Sequence, residues 1–342
     1  MNALRLPAEW EEQDGVLIAW PHAGTDWNPI LARAQHTFTA LITEASHHAR
    51  VLLAIEDGKE AFRALKNAGA VMERITFCPV SYDDTWIRDY GPITVIERHH
   101  PVCLNFKFNG WGGKYKSSLD NSFTTRLKEH GSVGGTHLRS IQLVLEGGSI
   151  DSDGQGTLLT TSSCNTHPNR HAHLTPADVE RAFQTFLGAS RVLWLHQGRL
   201  AGDDTDGHVD MLARFAPHDT LLYQSCNDPL DEHFIELSAM AEELRAFRTT
   251  AGTPYRMLAL PWPSAKHDAE GHRLPASYAN FLVLNGAVLV PLYADPQDAH
   301  ALSVIGQAFP GRKIIGIDCS VLIIHHGSLH CSTMQLPKGV LA

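Results

Sequence analysis

Five repeats of one α/β unit, closed on itself as a single domain over residues 1–342, are what this chain predicts. Three observations carry the prediction. Three stretches of the C-terminal part share one grammar of strand, tight turn, strand, loop, amphipathic helix and strand. Their turns carry the Gly, Pro and Asx residues that a hairpin asks for. No linker, low-complexity tract or charge run interrupts the alternation of strand and helix text, which argues for one layered α/β core.

Taken in order, the N-terminal half gives two divergent units. The first combines the apolar run Val51–Ile55, a helix around Lys59–Ala68 and the strand-like Val71–Val80. The second combines PITVIERHHPVCLNFKF, a helix near Ser122–His130 and IQLVLE. Three regular units follow. GSIDSDGQGTLLTT turns at Asp153-Gly154, leads through Thr175-Pro176 into the helix ADVERAFQTFLG, and ends on RVLWLHQG. HVDMLARFAPHDTLLYQ turns at Pro217-His218-Asp219, continues with DEHFIELSAMAEELRAF, and ends on YRMLALPWP. NFLVLNGAVLVPLYADPQ turns at Asn285-Gly286, continues with DAHALSVIGQAFPG, and ends on KIIGIDC. Thr175-Pro176 and Asp295-Pro296 read as an N-cap followed by proline in the first turn. Units of roughly 68 residues account for the whole chain.

The third strand of each unit is followed by residues that look chemical: DDTWIRDYGP, LEGGS, GDDTDGHVD, PASYAN and HHGSLHC. Asp89, Glu146, His208, Asn280 and Cys331 mark these loops at intervals of roughly 50 to 70 residues. Units related by rotation about one axis would bring the five loops together in one pocket.

Composition narrows the function. With 28 basic against 37 acidic side chains the formal charge is −9, the wrong sign for a nucleic-acid surface and the right one for a cationic small partner. The N-terminus lacks the apolar core of a signal peptide, and no run approaches the roughly 18–20 apolar residues of a membrane span. Six cysteines without CxxC spacing suit free thiols in a reducing cytosol. A soluble, cytoplasmic protein with no membrane partner is expected. The 21 histidines include the pairs His47/His48, His99/His100, His171/His173 and His325/His326, yet none forms an HExxH-type grouping, and no GxGxxG or GxxxxGK[ST] occurs. Neither a metal nor a nucleotide cofactor is expected.

A lone cysteine is most often a buried, inert small hydrophobe. Cys331 has a different setting, flanked by His330 and Ser332 and preceded by Gly327, where backbone can approach a ligand. The other five cysteines read as core or strand-end residues. His208 and Asp210 alternate along what reads as a strand, so they share a face; a buried histidine beside a carboxylate can act as acid and base near neutral pH. Asp89, after Trp86-Ile87-Arg88 and before Tyr90-Gly91-Pro92, reads either as a salt-bridged turn with Arg88 or as a working carboxylate. Glu146 ends an apolar strand, where a carboxylate is costly without a partner. Trp86, Phe108 and Trp111 are core aromatics or walls of a cation pocket. Carboxylates grip a planar guanidinium by bidentate hydrogen bonds, and a thiolate with a histidine partner attacks a polarised sp² carbon. Together these groups describe amidine hydrolysis better than peptide hydrolysis.

The strings PAEWEEQDGVLIAWP, WIRDYGP, FNGWGGKY, LEGGSIDSDGQGTLLTT, GDDTDGHVDMLARF and GSLHCSTMQLP resemble those of the agmatine deiminase / bacterial-type (Porphyromonas-type) peptidylarginine deiminase family, from about Pro7 to Pro337. The resemblance implies the pentein fold, a five-bladed pseudo-symmetric α/β propeller of ββαβ units. By matching motif it implies that Cys331 is the nucleophile, that His208 is the general acid and base, that Glu146 assists proton transfer, and that Asp89 and Asp210 hold the guanidinium. Asp204 matches an acidic substrate-binding position, with Trp86 or Trp111 walling the alkyl chain. His325-His326 departs from the glycine-rich run of many members. The implied reaction needs no cofactor: agmatine is hydrolysed to N-carbamoylputrescine and ammonia through an amidino-cysteine, in polyamine synthesis. The partner is then a small guanidino substrate, with a homodimer left open. Rival readings within the family are peptidylarginine deiminase, free-arginine deiminase and amidinotransferase; a non-enzymatic pentein binding protein is disfavoured by retention of the cysteine, histidine and carboxylates.

Overall fold

The computed structural model describes residues 4–341 and places their strands in five separate sheets, two of four strands and three of three. One motif runs through all five. An antiparallel pair is followed by a helix, which returns the chain to a third strand parallel to the second, as a parallel connection requires. Ile150–Ser152 and Thr157–Thr161 pair antiparallel, the helix Pro176–Leu187 crosses over, and Arg191–Leu195 lies parallel to Thr157–Thr161. Ala213–Ala216, Thr220–Gln224, the helix Phe234–Ala246 and Arg256–Leu260 repeat it. So do Leu282–Val283, Ala287–Leu292, the helix Asp298–Ala308 and Lys313–Asp318.

These three units follow the sequence reading closely because their local signals agree. Thr175 accepts from the Asp178 backbone and Asp178 returns the bond, a capping box, while Gly188 closes the helix at φ 71°. That helix buries Val179, Phe183 and Leu187, four residues apart on one face. The central strand Thr220–Gln224 is buried at every position, as a strand covered on both faces must be. One start differs: the last helix has Gln297 as its N-cap, and Asp295 instead turns the loop by accepting from the Gln297 N–H.

The N-terminal half corrects the expected units. The helix Leu31–His48 and the strand Gln13–Ala19 form the opening of the first one. Gln13–Ala19 takes as its antiparallel neighbour the strand Thr333–Pro337, from the far end of the chain. Arg50–Ala54 is the parallel third strand, and Lys59–Asn67 with Ile75–Cys78 is an added helix and strand. The second sheet runs Ile93–Glu97, His100–Lys107, the helix Ser118–Glu129 and His137–Val144, with Leu4–Arg5 on its edge. Strands from near the two ends of the chain thus share one sheet. A continuous buried apolar cluster extends from Val16 to Val340. Among the described residues, no helix is long and apolar enough to cross a membrane.

Candidate active site

Each loop that leaves the last strand of one sheet for the first strand of the next delivers a polar side chain to a shared buried space. Asp89 sits in the single helical turn Ile87–Tyr90, Glu146 follows His137–Val144, and His208 and Asp210 precede Ala213–Ala216. Asn280 precedes Leu282–Val283 and Cys331 precedes Thr333–Pro337. The expected strand through His208 and Asp210 is not formed. His208 is extended, whereas Asp210 lies in the short 3₁₀ turn Val209–Met211, so the backbone turns between them instead of alternating them on one face. All the same, the two side chains reach the same site.

The Cys331 sulfur lies 3.8 Å from Asp210 Oδ2 and 3.3 Å from Asn280 Nδ2. Asn280 Oδ1 accepts the backbone N–H groups of His330 and Cys331, which turns its amide nitrogen toward the sulfur. The Arg88 N–H donates to the Cys331 carbonyl at 3.1 Å, tying the loop of Asp89 to that of the thiol. His208 Nε2 donates to Glu146 Oε2 at 2.7 Å. Arg170 grips both oxygens of the same carboxylate at 2.9 Å, so the charge buried at the strand end has its partner. The other imidazole nitrogen, His208 Nδ1, faces Asp89 Oδ1 at 3.6 Å, too far for a hydrogen bond. His208 Nδ1 and Asp210 Oδ1 are buried without a hydrogen-bond partner, a costly state for a polar atom and a common one for a binding site.

Gly148 makes this closeness sterically feasible. A Cβ there would stand 2.6 Å from His208 Nδ1, 2.9 Å from Asp89 Oδ1 and 3.0 Å from Asp210 Oδ2, while its own N–H donates to Asp89 Oδ1 at 2.9 Å. Glu146, Cys164 and His208 present ligand-type atoms within 4.8 Å of one another. Arg170 already holds both Glu146 oxygens, and a guanidinium beside an incoming cation opposes it.

A cleft of about 440 Å³ opens from the thiol, walled by Trp86, Trp111 and Gly327, with Asp89 beside Cys331. Trp111 is held at φ 53°, sparse for a residue with a Cβ, and its indole N–H donates to Asp89 Oδ2 at 2.9 Å. A Cβ on Gly327 would meet the Trp86 ring at 2.4 Å. Farther out stand Asp26, Asp84 and Asp204; Asp204 accepts from the Tyr115 hydroxyl at 2.6 Å. His325 packs edge-on against Trp27 and His326 contacts the Gly202 carbonyl at 2.7 Å, so this pair forms part of the cleft wall. Among the described residues, no lysine or arginine lines the cleft.

The charges are uneven. Burial, with the nearby Asp210 and Asp89 carboxylates, pushes the Cys331 thiol well above its ordinary value. Burial would favour neutral His208, yet Asp89, Cys164 and Glu146 overcome it and hold the imidazole well up, in the protonated form at neutral pH. Burial, with Glu146 and Asp210 nearby, raises Asp89 to about 6 against the opposing pull of His208. For Asp210, burial is outweighed by its bond to His330, and the carboxyl lies below its usual range. Burial, reinforced by Asp26 and Asp204, lifts Asp84 to about 7.

All eight residues singled out in the sequence therefore meet here: Cys331, His208, Glu146, Asp89 and Asp210 at the base, and Trp86, Trp111 and Asp204 along the cleft. Others escaped notice. Cys164 lies not in a core strand but in the short helix Ser162–Asn165, with its sulfur 3.9 Å from Glu146 Oε2. Arg170, Asn280's contact with the thiol, and Glu9 carry no local signal, since each gains meaning only from partners far along the chain.

A profile of the Porphyromonas-type peptidyl-arginine deiminase family matches residues 5–337. A Marinomonas protein named "Putative agmatine deiminase" is 31% identical over 99% of this chain and 95% of its own. A Porphyromonas gingivalis structure named "Putative Arginine Deiminase" superposes with a TM-score of 0.94 at 44% identity, covering 99% of this chain and 100% of that one. The C. jejuni agmatine deiminase solved with substrate bound superposes with a TM-score of 0.91 at 35% identity, covering 98% and 97%.

Proposed function

We propose, from the premise that the chain belongs to the Porphyromonas-type peptidyl-arginine deiminase family, that it is a single catalytic domain that hydrolyses agmatine to N-carbamoylputrescine and ammonia. The five sheets are read as the blades of a pentein-type pseudo-symmetric propeller, with the site on its axis. The observation that carries the chemistry is the thiol of Cys331 beside Asp210, whose second oxygen is buried without a donor. Two carboxylates and a thiol around one small space suit a planar cation that carries an electrophilic carbon.

In this reading Asp89 and Asp210 receive the guanidinium N–H groups. The cation offsets the carboxylates that hold the thiol up, so the thiol releases its proton to solvent and becomes the thiolate as substrate arrives. The sulfur attacks the central carbon, and protonated His208 gives its proton to the departing ammonia, leaving an amidino-cysteine. His208, now neutral, takes a proton from the attacking water while Glu146 holds its Nε2. Collapse of the adduct releases the ureido product and the free thiol. No step calls for a metal or organic cofactor. The product is a putrescine precursor, which places the reaction in polyamine synthesis.

The outer cleft supports agmatine over arginine. Asp26, Asp84 and Asp204 suit a terminal ammonium, and among the described residues no lysine or arginine lines the cleft to meet an α-carboxylate. Arg88 and Arg214, the arginines of the neighbouring motifs, are committed to Glu9 instead. The names of the more identical structures favour arginine or peptidyl-arginine as a second reading. Ammonia release from agmatine, arginine and a blocked arginine peptide decides between them. A kcat/KM for arginine or peptide within tenfold of that for agmatine overturns the agmatine reading and leaves the deiminase chemistry standing.

A further inference from the structure

Behind the carboxylates lies a buried ionic cluster that the chemistry above does not use. Glu9, from the N-terminal segment, is its hub. Its Oε1 accepts from His330 Nε2 at 2.8 Å and from Arg88 Nη1 at 3.2 Å. Its Oε2 accepts from Gln335 Nε2 at 2.8 Å and from the Arg214 guanidinium. Glu9 and Arg88 line a second cavity of about 610 Å³, which also meets Gly147 and Gln335. Arg88 and Gly147 are the chain neighbours of Asp89 and Glu146 but line a different space, so the cluster backs the layer whose front is the cleft.

His330 joins the two sides. While Nε2 meets Glu9, its Nδ1 stands 2.8 Å from Asp210 Oδ2. Among the described residues it is the one nitrogen that hydrogen-bonds to either oxygen of that carboxylate; Oδ1 has no partner and the Cys331 sulfur is 3.8 Å from Oδ2. Asp210 sits in a three-residue turn, so the direction of its free oxygen depends on this bond. We propose that His330 is a positioning residue that aims Asp210 at the substrate guanidinium, and that Glu9 orients His330 for the task. The proposal rests on the deiminase reading for the identity of the ligand. A ring fixed at both nitrogens has one orientation, which is how outer partners commonly set the aim of a working group.

Packing alone would make a different prediction from aiming, and isosteric pairs separate the two. The amide of asparagine can occupy the place of Nδ1, whereas that of glutamine reaches the place of Nε2. His330→Asn therefore keeps a donor on Asp210 and loses Glu9, while His330→Gln does the reverse. With agmatine as substrate, His330→Gln should raise KM about 30-fold, His330→Asn about threefold and Glu9→Gln about tenfold, each with a smaller change in kcat. Equal effects of His330→Asn and His330→Gln on KM, or no effect of either, would overturn the proposal. So would failure of all three variants to unfold cooperatively, which would make these residues structural only. If the wild-type protein releases no ammonia from agmatine, the deiminase reading falls by itself. The same ranking is then read calorimetrically from methylguanidine binding, where an unranked or absent response overturns the positioning role.

Discussion

The Cys331 sulfur lies 3.8 Å from Asp210 Oδ2, and Asp89 shares its wall of the cleft. Two carboxylates beside a buried thiol keep it protonated when nothing else is bound. The groups that would bind the guanidinium are therefore the groups that hold the nucleophile in check, which links activation to occupancy.

Removing one of them should release the thiol. Asp210→Asn keeps the shape and loses the charge, so alkylation of Cys331 by iodoacetamide at pH 8 should be about tenfold faster than in the wild type. The Cys331→Ala protein supplies the background from the other five cysteines, all buried. Turnover should fall in the same variant because guanidinium binding is lost. Alkylation no faster than in the wild type would show that Asp210 does not govern the thiol.

The acid limb of the binding profile follows from two raised carboxyls. Asp89 at about 6 and Asp84 at about 7 are charged above those values and neutral below them. Only the charged forms attract a cation, so the affinity of the Cys331→Ala protein for agmatine, where the thiol's own titration is absent, should be full near pH 8 and decline as the pH falls through 7 and then 6. Asp84→Asn should remove the upper part of the decline and leave the lower. A profile flat to pH 5 would contradict the assignment.

Gly148→Ala tests the crowding directly. The added methyl would stand within 3.0 Å of His208, Asp89 and Asp210 at once. Displacement of these groups by even part of an ångström should cost roughly 100-fold in kcat or more. Gly135→Ala, where a Cβ meets nothing within 4 Å, serves as the control and should retain wild-type activity. Comparable rates in the two variants would remove Gly148 from the site.

What the sequence revealed and what it concealed divide along the range of the interactions. The units around Asp153-Gly154, His218-Asp219 and Asn285-Gly286 were legible because turn, strand and helix signals lie within one stretch of text. The opening unit was not, because Gln13–Ala19 pairs with Thr333–Pro337, and no window contains both. The site divides in the same way. Cys331, His208 and the carboxylates stand in distinctive local strings, whereas Glu9 earns its place from His330, 321 positions away, and Arg170 from Glu146. The strand expected through His208 and Asp210 failed because Asp210 turns to meet His330, a tertiary bond that overrides local alternation.

Substrate choice turns on the outer cleft. In the proposed reading, agmatine and arginine would present the same guanidinium to Asp89 and Asp210 and differ at the far end, where one bears an ammonium and the other an α-amino acid. Asp26, Asp84 and Asp204 surround that end, with Tyr115 donating to Asp204. An α-carboxylate there would lose water, gain no donor from lysine or arginine, and face like charges. An unpaired, partly buried charge commonly costs several kcal/mol, so agmatine should be favoured by roughly 10³-fold in kcat/KM. Single neutralisation should narrow the gap from both sides. Asp204→Asn should slow agmatine about tenfold by weakening attraction for the ammonium, and should leave arginine unchanged or slightly faster by easing repulsion. Because neither Asp204 nor its Tyr115 partner touches the sulfur, the rate of Cys331 alkylation should stay at the wild-type level. An Asp204→Asn protein that slows agmatine and arginine by the same factor would place this carboxylate in the general architecture of the cleft and leave substrate choice to Asp26 and Asp84.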